Sequence, residues 1–132
     1  VGAATEIEMK EKKDRVDDAI RATKAAISEG IVPGGGTSFL RVLTSNSVIN
    51  KTLSRPLKQL CENAGVDFES IKEQVLKDEN WGVGYNVKTN KIEDLIKSGI
   101  IDPVKVLRCS IENAASAATT ILTTESLICD TM

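Results

Sequence analysis

Apolar residues recur at helical spacing along much of this chain, and short polar or glycine-rich stretches separate the periodic segments. The first such segment runs from Lys10 to Glu29, where Val16, Ile20, Thr23 and Ile27 fall on one face. This pattern predicts an amphipathic helix that buries its apolar face against other elements. Because a single helix cannot form a core, we expect another segment to cover this face.

Two helices are predicted in the next part of the chain. Thr37 to Leu43 forms a short helix, and Ser54 to Asn63 forms another. Pro56 suits the first turn of the second helix, and Gly65 suits the position just past its end. The polar stretch between the two helices, from Thr44 to Thr52, is predicted to be a loop.

A further helix is predicted to begin after Asp67, which is a favourable N-cap residue. Val66 and Ile71 stand on either side of this cap at the spacing of a hydrophobic staple. Phe68 and Val75 share the helical face of Ile71, so these three residues are expected to be buried.

The pattern changes from helical to strand-like after this helix. Trp81 to Val87 combines strand-forming residues with small ones, and Lys88 to Lys91 is a plausible turn. Ile92 to Leu95 then forms either a returning strand or a helical turn. We interpret the whole as a small β-hairpin. Near the end of the chain, Ser126 to Cys129 is predicted to be a terminal strand whose open edge needs a partner.

The longest apolar stripe follows Asp102 and Pro103. Asp102 is a favourable N-cap and Pro103 suits a first helical turn. The stripe behind them is rich in alanine, which allows close approach of a neighbouring helix; it comprises Val104, Leu107, Ile111, Ala114, Ala115, Ala118, Ile121 and Leu122. Together these segments predict a mainly α fold with a small β-hairpin and terminal strands.

Between the first two helices stands a glycine-rich stretch. Gly30 is predicted to end the first helix in a left-handed conformation, and Ile31 and Val32 are expected to be buried. The glycines at 34–36 then precede a helix start, where free N–H groups and the helix dipole favour an anion. The alternative is a flexible hinge with tight helix packing. The stretch is neither a P-loop nor a dinucleotide-binding motif, because the flanking residues differ.

The composition of the chain limits the kinds of catalysis, partner and metal site that are expected. The chain has 132 residues, a formal net charge of −2 and no histidine, so catalysis that depends on a histidine base is excluded. The small net charge argues against nucleic acid as a partner, and we expect neither a membrane-spanning segment nor a signal peptide. The three cysteines are widely spaced and fit reduced thiols better than a disulfide framework or a zinc site.

Several motifs, taken together and in order, resemble the type I chaperonins, the GroEL-like, sixty-kilodalton heat-shock family. The matching segments cover nearly the whole chain: residues 1–6 (VGAATE), 11–19 (EKKDRVDDA), 29–36 (EGIVPGGG), 84–86 (GYN), 99–106 (GIIDPVKV) and 123–126 (TTES). The resemblance implies a fragment of the chaperonin equatorial domain plus one helix of the intermediate domain. Residues 1–28 correspond to the C-terminal part of the intermediate, or hinge, domain. Residues 29–132 correspond to the C-terminal half of the equatorial ATP-binding domain.

The resemblance also implies roles for single residues. Asp18 matches the aspartate that orients the water attacking the γ-phosphate, and Gly35 matches the glycine whose backbone lies against the nucleotide. Asp102 matches the residue that hydrogen-bonds the ribose. The hairpin residues matching those around the adenine are Asn86, Val87 and Lys88. The alternative interpretations are a solvated helix face for Asp18 and helix capping alone for Asp102.

The implied activity is that of a stress-response chaperone, classed as an isomerase, which uses ATP and Mg²⁺ to refold proteins. Its expected partners are identical subunits in a ring, a co-chaperonin and unfolded client proteins. No metal ligand is assigned within this chain, because the family's phosphate-gripping loop and magnesium-binding aspartate belong to the N-terminal half of the equatorial domain. The expected compartment is the bacterial cytoplasm, the mitochondrial matrix or the plastid stroma.

Two departures from the family pattern support a second hypothesis. Lys88 and Val87 replace the small residues that usually follow the hairpin asparagine, and the segment from Ser38 to Arg55 is short by about one average helix. A non-catalytic helical scaffold or assembly module with the same fold is therefore the alternative function. A third and weaker alternative is a stand-alone anion-binding domain.

Overall fold

The computed structural model describes residues 2–42, 44–126 and 128. Within these residues the chain forms helices joined by short strands, as the sequence predicts. The helices are α1 (Glu6–Glu29), α2 (Thr37–Arg41), α3 (Ser47–Leu53), α4 (Arg55–Ala64), α5 (Phe68–Lys77) and α6 (Val104–Leu122). The strands are β1 (Ile31–Pro33), β2 (Val83–Asn86), β3 (Lys91–Asp94) and β4 (Ile101–Pro103).

Helix α1 begins at Glu6 rather than at Lys10, because Thr5 provides an N-cap. The Thr5 side chain accepts a hydrogen bond from the backbone N–H of Glu8, with acidic residues in the first turn. At the other end, Gly30 has a φ of 87° and a ψ of −172°, and its N–H donates to the carbonyl of Ala26 at 2.8 Å. The predicted end of the helix at Gly30 is therefore confirmed. The φ of Gly30 is positive, as predicted, but its ψ is extended and not that of a left-handed helix.

Strands β1 and β4 form an antiparallel pair in which Val32 stands opposite Asp102. This pairing corrects two predictions. Asp102 is not the N-cap of α6, because it lies in β4 and Pro103 occupies the cap position. Ile31 is not buried, because β1 is a short strand at the surface; 46% of Ile31 is exposed.

The predicted hairpin is confirmed. Strands β2 and β3 are antiparallel, with Tyr85 opposite Ile92 and Asn86 opposite Lys91. Asn90 in the connecting turn has a φ of 54°, which is a conformation that asparagine tolerates. The returning segment is a strand from Lys91 rather than a helical turn.

Helices α4 and α5 match their predictions and build most of the core. Gly65 ends α4 in a left-handed conformation, and the Asp67 carboxylate accepts a hydrogen bond from the N–H of Ser70 at 2.8 Å. The staple residues Val66 and Ile71 pack against the core. The buried residues of this core are Leu40, Leu57, Cys61, Phe68, Val75 and Tyr85.

The segment between α2 and α4 differs from its prediction as a loop. It contains α3, whose N-cap Asn46 accepts hydrogen bonds from the N–H groups of Val48 and Ile49. Helix α2 also ends at Arg41 instead of Leu43. The sequence analysis missed α3 because a side-chain cap, rather than the burial of an apolar face, stabilises the first turn of this helix.

Arg41 joins three elements of the core through its guanidinium. It donates hydrogen bonds to the carbonyls of Val75 at 2.8 Å, Asp78 at 2.9 Å and Val83 at 3.0 Å. Partial burial lowers the pKa of Arg41, and the neighbouring Asp78 opposes that effect. The side chain therefore fixes the end of α5 against the first strand of the hairpin.

We expect Arg41→Lys to lower the free energy of unfolding by about 2 kcal/mol, because an ammonium cannot reach three carbonyls arranged around a planar fork. Urea unfolding monitored by circular dichroism measures this change. Arg21→Lys, on the exposed surface of α1, is the matched control and should change stability little. Equal stabilities of the two variants would contradict the bridging role.

The apolar stripes of α1 and α6 were expected to be buried, and they differ most from that expectation. Neither helix has a fully buried residue among those described, although the two helices contact each other. Ile27 remains 81% exposed and Ile121 73% exposed. Of the predicted terminal strand at 126–129, residues 127 and 129 lie outside the described residues, and residues 126 and 128 are not in a strand. Of the described helices, none combines the length and apolar character that a membrane crossing requires.

Candidate functional site

The glycine turn, residues 34–36, lies where β1 passes into α2. The N–H of Gly34 donates to the carbonyl of Ile100 at 3.0 Å, which ties the turn to the residue before β4. Gly35 and Gly36 have φ values of 62° and 73°, a region that glycine occupies without steric cost. The Ser38 hydroxyl donates to the carbonyl of Pro33 at 2.5 Å and closes the turn.

Gly35 also lies against the hairpin. A Cβ atom placed on Gly35 would stand 3.7 Å from the carbonyl oxygen of Tyr85, the residue before Asn86. Gly84, on the same strand, allows this approach, because a Cβ there would overlap the side chain of Thr37. Thr37 is fully buried, and its hydroxyl oxygen has no hydrogen-bond partner among the described residues. The glycine turn and β2 are thus in direct backbone proximity.

Asn86 is the buried polar residue at the end of β2 and is 7% exposed. Its amide donates to the carboxylate of Glu93 on β3, and its side-chain oxygen accepts from the N–H of Lys88 at 2.9 Å. The pKa of Glu93 is lowered, chiefly by the Asn86 hydrogen bond and then by one from Ser98. Asn86 therefore orders the turn, while the side chains of Val87 and Lys88 remain exposed.

Asp102 is half-buried in β4, and burial raises the pKa of its carboxyl group. No described residue donates a hydrogen bond to that carboxylate. The carboxylate is only partly buried, so it remains available to a hydrogen-bond donor from outside the chain. Asp102 stands opposite Val32, and β1 continues from Val32 directly into the glycine turn. Its position therefore suits a carboxylate that receives a hydroxyl donor near that turn.

These contacts bring three of the predicted nucleotide contacts into one region. Gly35 touches the hairpin strand that ends in Asn86, and the turn is hydrogen-bonded to the segment that carries Asp102. A backbone turn, a buried amide and a partly buried carboxylate together suit a nucleoside with hydroxyl donors. They provide no cation for phosphate groups and, within the described residues, no cluster of acidic or thiol ligands for a metal.

Asp18 is the predicted site residue that the structure does not bring to this region. It is exposed near the middle of α1, and an α-helix rises by ~1.5 Å per residue, so Asp18 stands about 18 Å along the axis from Gly30. The role of Asp18 at the nucleotide therefore stays a prediction.

The junction between α1 and α6 contains functional candidates that the sequence analysis missed. Arg108 on α6 donates to both carboxylate oxygens of Glu29, at 2.7 and 3.1 Å, and also pairs with Glu112. The N–H of Val104 donates to the carbonyl of Gly30 at 3.1 Å. Glu29 and Arg108 are 79 residues apart in sequence, so no local pattern reveals this pair.

The Arg108 guanidinium holds the pKa of the Glu29 carboxyl below its ordinary value near 4.5, first through the hydrogen bond and then through charge. The contribution of the pair is therefore complete above that ordinary value and is lost as pH falls through the lowered pKa. We expect carbon-13 NMR titration to give a lowered Glu29 pKa that returns to its ordinary value in Arg108→Ala. Glu112→Gln is the control and should leave the Glu29 pKa lowered. An ordinary Glu29 pKa in the unaltered protein would contradict the pairing.

Residues 1–131 match the model of the TCP-1/cpn60 chaperonin family. The chain belongs to the TCP-1/cpn60 chaperonin family. Among solved structures, the crystal structure of a group III chaperonin in the open state matches with a TM-score of 0.82 and 26% sequence identity. That match covers 97% of this chain and 30% of the other chain, so this chaperonin chain spans less than a third of that relative.

Family membership confirms the chaperonin part of the sequence resemblance and the mainly helical fold of a chaperonin domain fragment. The finer assignment to the type I group, which rests on sequence motifs along nearly the whole chain, is not supported by the match to a group III chaperonin.

Proposed function

We propose that this chain forms part of an ATP-dependent type I chaperonin subunit that assists protein folding in a ring. Residues 1–28 serve as the C-terminal part of the intermediate domain, and residues 29–132 serve as the C-terminal half of the equatorial ATP-binding domain. The observation that carries the proposal is the meeting of the glycine turn, the hairpin and the β4 strand within a chain of the chaperonin family. The type I assignment rests on the sequence motifs.

In this proposal the nucleotide lies beside the glycine turn. The backbone of Gly35 packs against it, and the hairpin residues Asn86, Val87 and Lys88 flank the adenine. The partly buried carboxylate of Asp102 accepts a hydrogen bond from the ribose. The groups that neutralise the phosphates are expected in another part of the subunit, as the family resemblance implies.

Asp18 provides the carboxylate that orients the attacking water. Phosphoryl transfer depends mainly on positioning and charge stabilisation, and an acid that arrives only after α1 changes direction couples hydrolysis to a change of shape. Mg²⁺ supplies charge neutralisation at the phosphates when it is bound, and its ligand is expected in the N-terminal half of the equatorial domain. The proposed partners are identical subunits in a ring, a co-chaperonin and unfolded client proteins.

Isothermal titration of the intact protein with ATP tests the proposal. We expect saturable binding, and we expect Asp102→Ala to weaken it by about tenfold, the usual effect of losing one hydrogen bond to a charged group. Glu125→Ala, an exposed acidic residue beyond α6, is the control and should bind as the unaltered protein does.

The chain 1–132 by itself should show no ATP hydrolysis above background, because it lacks the phosphate and magnesium ligands. ATP hydrolysis by that chain would contradict the proposal that the phosphate and magnesium ligands lie in another part of the subunit.

The second candidate is a non-catalytic scaffold or assembly module with the chaperonin fold. Two observations favour it: the exposed Lys88 at the end of the hairpin, and the short connection between the glycine turn and α4. Rings that assemble normally but give no heat with ATP would support the scaffold. Stimulated refolding of a denatured client on addition of ATP and a co-chaperonin would support the type I chaperonin instead.

A further inference from the structure

One face of the hairpin is turned toward the glycine turn. Side chains alternate between the two faces of a strand pair, and Gly84 stands opposite Glu93, so Gly84, Asn86 and Glu93 lie on the same face. A Cβ atom on Gly84 would overlap the side chain of Thr37, the residue that directly follows the glycine turn. Glu93 therefore lies on the hairpin face that meets the glycine turn.

The Glu93 carboxylate joins two segments of the candidate site. One of its oxygens accepts hydrogen bonds from the side-chain amide of Asn86 and from the hydroxyl of Ser98, the latter at 3.0 Å. Ser98 lies in the segment between β3 and β4. The last residue of that segment, Ile100, accepts the hydrogen bond from the N–H of Gly34 at 3.0 Å. Glu93 thereby connects the end of β2 with the segment that holds the glycine turn and leads into β4.

The carboxylate also selects the orientation of the Asn86 amide. An ionised carboxylate can only accept hydrogen bonds, so the NH₂ group of Asn86 faces Glu93 and the amide oxygen is left for the turn. That oxygen accepts from the backbone N–H of Lys88 at 2.9 Å. If the amide were flipped, its NH₂ group would face the N–H of Lys88 and this bond would be lost. The hydrogen bonds from Asn86 and then Ser98 hold the pKa of Glu93 below its ordinary value, which favours the ionised form.

We propose that Glu93 is a positioning residue of the nucleotide site, an inference that rests on the proposed function. Its carboxylate fixes the Asn86 amide and, through it, the turn of Asn86, Val87 and Lys88 that flanks the adenine. Glu93 acts through Asn86 rather than on the nucleotide, because its bonded oxygen is already shared by Asn86 and Ser98. A turn shaped before binding reduces the ordering cost of binding. Since the ribose and phosphates bind elsewhere, Glu93 contributes to selectivity for the adenine base.

Calorimetric binding of ATP and of GTP to the intact protein tests the proposal. Glu93→Leu removes the acceptor but keeps a side chain that a strand tolerates. We expect it to weaken ATP binding about tenfold, the usual effect of losing a hydrogen bond to a charged group. GTP binding should change little, because the turn is not fitted to guanine, so the preference for ATP falls by the same factor. A merely structural role would weaken the binding of both nucleotides equally.

Glu93→Gln is the conservative variant. Its side-chain oxygen can still accept from Asn86 and Ser98, so it should restore most of the affinity for ATP. Glu79→Leu, at an exposed acidic residue before β2, is the matched control and should bind both nucleotides as the unaltered protein does.

Hydrogen exchange of the nucleotide-free protein measures the turn by itself. In Glu93→Leu the N–H of Lys88 should lose protection, because the amide oxygen that accepts from it is no longer held in place. Mass spectrometry of hairpin peptides records this loss, and Glu79→Leu should show none.

The two measurements separate this inference from the proposed function. Unchanged exchange of the turn in Glu93→Leu, or equal weakening of ATP and GTP binding, would overturn the positioning role even if the unaltered protein binds ATP. Absence of ATP binding by the unaltered protein would overturn the proposed function, and the link from Glu93 to the nucleotide with it. The exchange measurement would then still decide whether Glu93 holds the turn.

Discussion

Replacing Asp18 by asparagine is expected to slow ATP hydrolysis by the intact protein about a hundredfold, the usual loss when a catalytic acid or base is removed. Asparagine keeps the size of the side chain but cannot orient a water molecule as a carboxylate does. ATP binding should be unchanged, because Asp18 lies on α1, away from the glycine turn and hairpin. Steady-state turnover with ATP, together with calorimetric binding, measures the two quantities separately.

Asp14→Asn provides the matched control, since Asp14 is also an exposed aspartate of α1 and lies one turn away. It should hydrolyse ATP at the rate of the unaltered protein. Equal losses in the two variants would point to a general effect on α1, and an unchanged rate in Asp18→Asn would remove this residue from the proposed mechanism.

Replacing Gly36 by alanine is expected to lower the free energy of unfolding by about 4 kcal/mol. The left-handed backbone at Gly36 costs any other residue about 1–2 kcal/mol. In addition, the new Cβ would stand 2.7 Å from the backbone nitrogen of Leu57, and overpacking of this kind costs about 1–3 kcal/mol. The start of α4 cannot yield easily, because Leu57 is fully buried. Urea unfolding measures the loss.

Gly65→Ala separates the two contributions. Gly65 has a φ of 70°, close to that of Gly36, but a Cβ there meets nothing within 4 Å. This variant should lose only the backbone contribution, about 1–2 kcal/mol. If both variants are destabilised equally, the contact between the glycine turn and α4 contributes nothing.

Local signals predicted much of the fold. The cap at Asp67 and the glycine at the end of α4 depend on residues close in sequence, and both were found where they were expected. The hairpin turn was predicted one residue late, because Val87 belongs to it and Lys91 already starts β3. Helix α3 was missed because Asn46 and Asn50 stabilise it through polar contacts that resemble a loop in the sequence.

Features that depend on contacts between residues far apart in sequence were not predicted from local signals. Asp102 has the sequence of an N-cap, but pairing with Val32 draws it into a strand. The ion pair of Glu29 with Arg108 joins elements far apart in the chain. The sequence located the glycine turn, the hairpin and Asp102, but only their hydrogen bonds and packing bring them together. The role of Asp18 remains a prediction from the family resemblance.

The attachment of the Gly30 carbonyl to Val104 has a thermodynamic consequence. Since α6 starts directly after the strand that contains Asp102, α1 cannot reorient at Gly30 without breaking that bond or displacing the strand. If a nucleotide is held by Asp102, as proposed, its binding and the orientation of α1 should influence one another equally, because a coupling free energy acts in both directions. Fixing α1 in one orientation should therefore change nucleotide affinity by the same factor by which nucleotide changes that orientation.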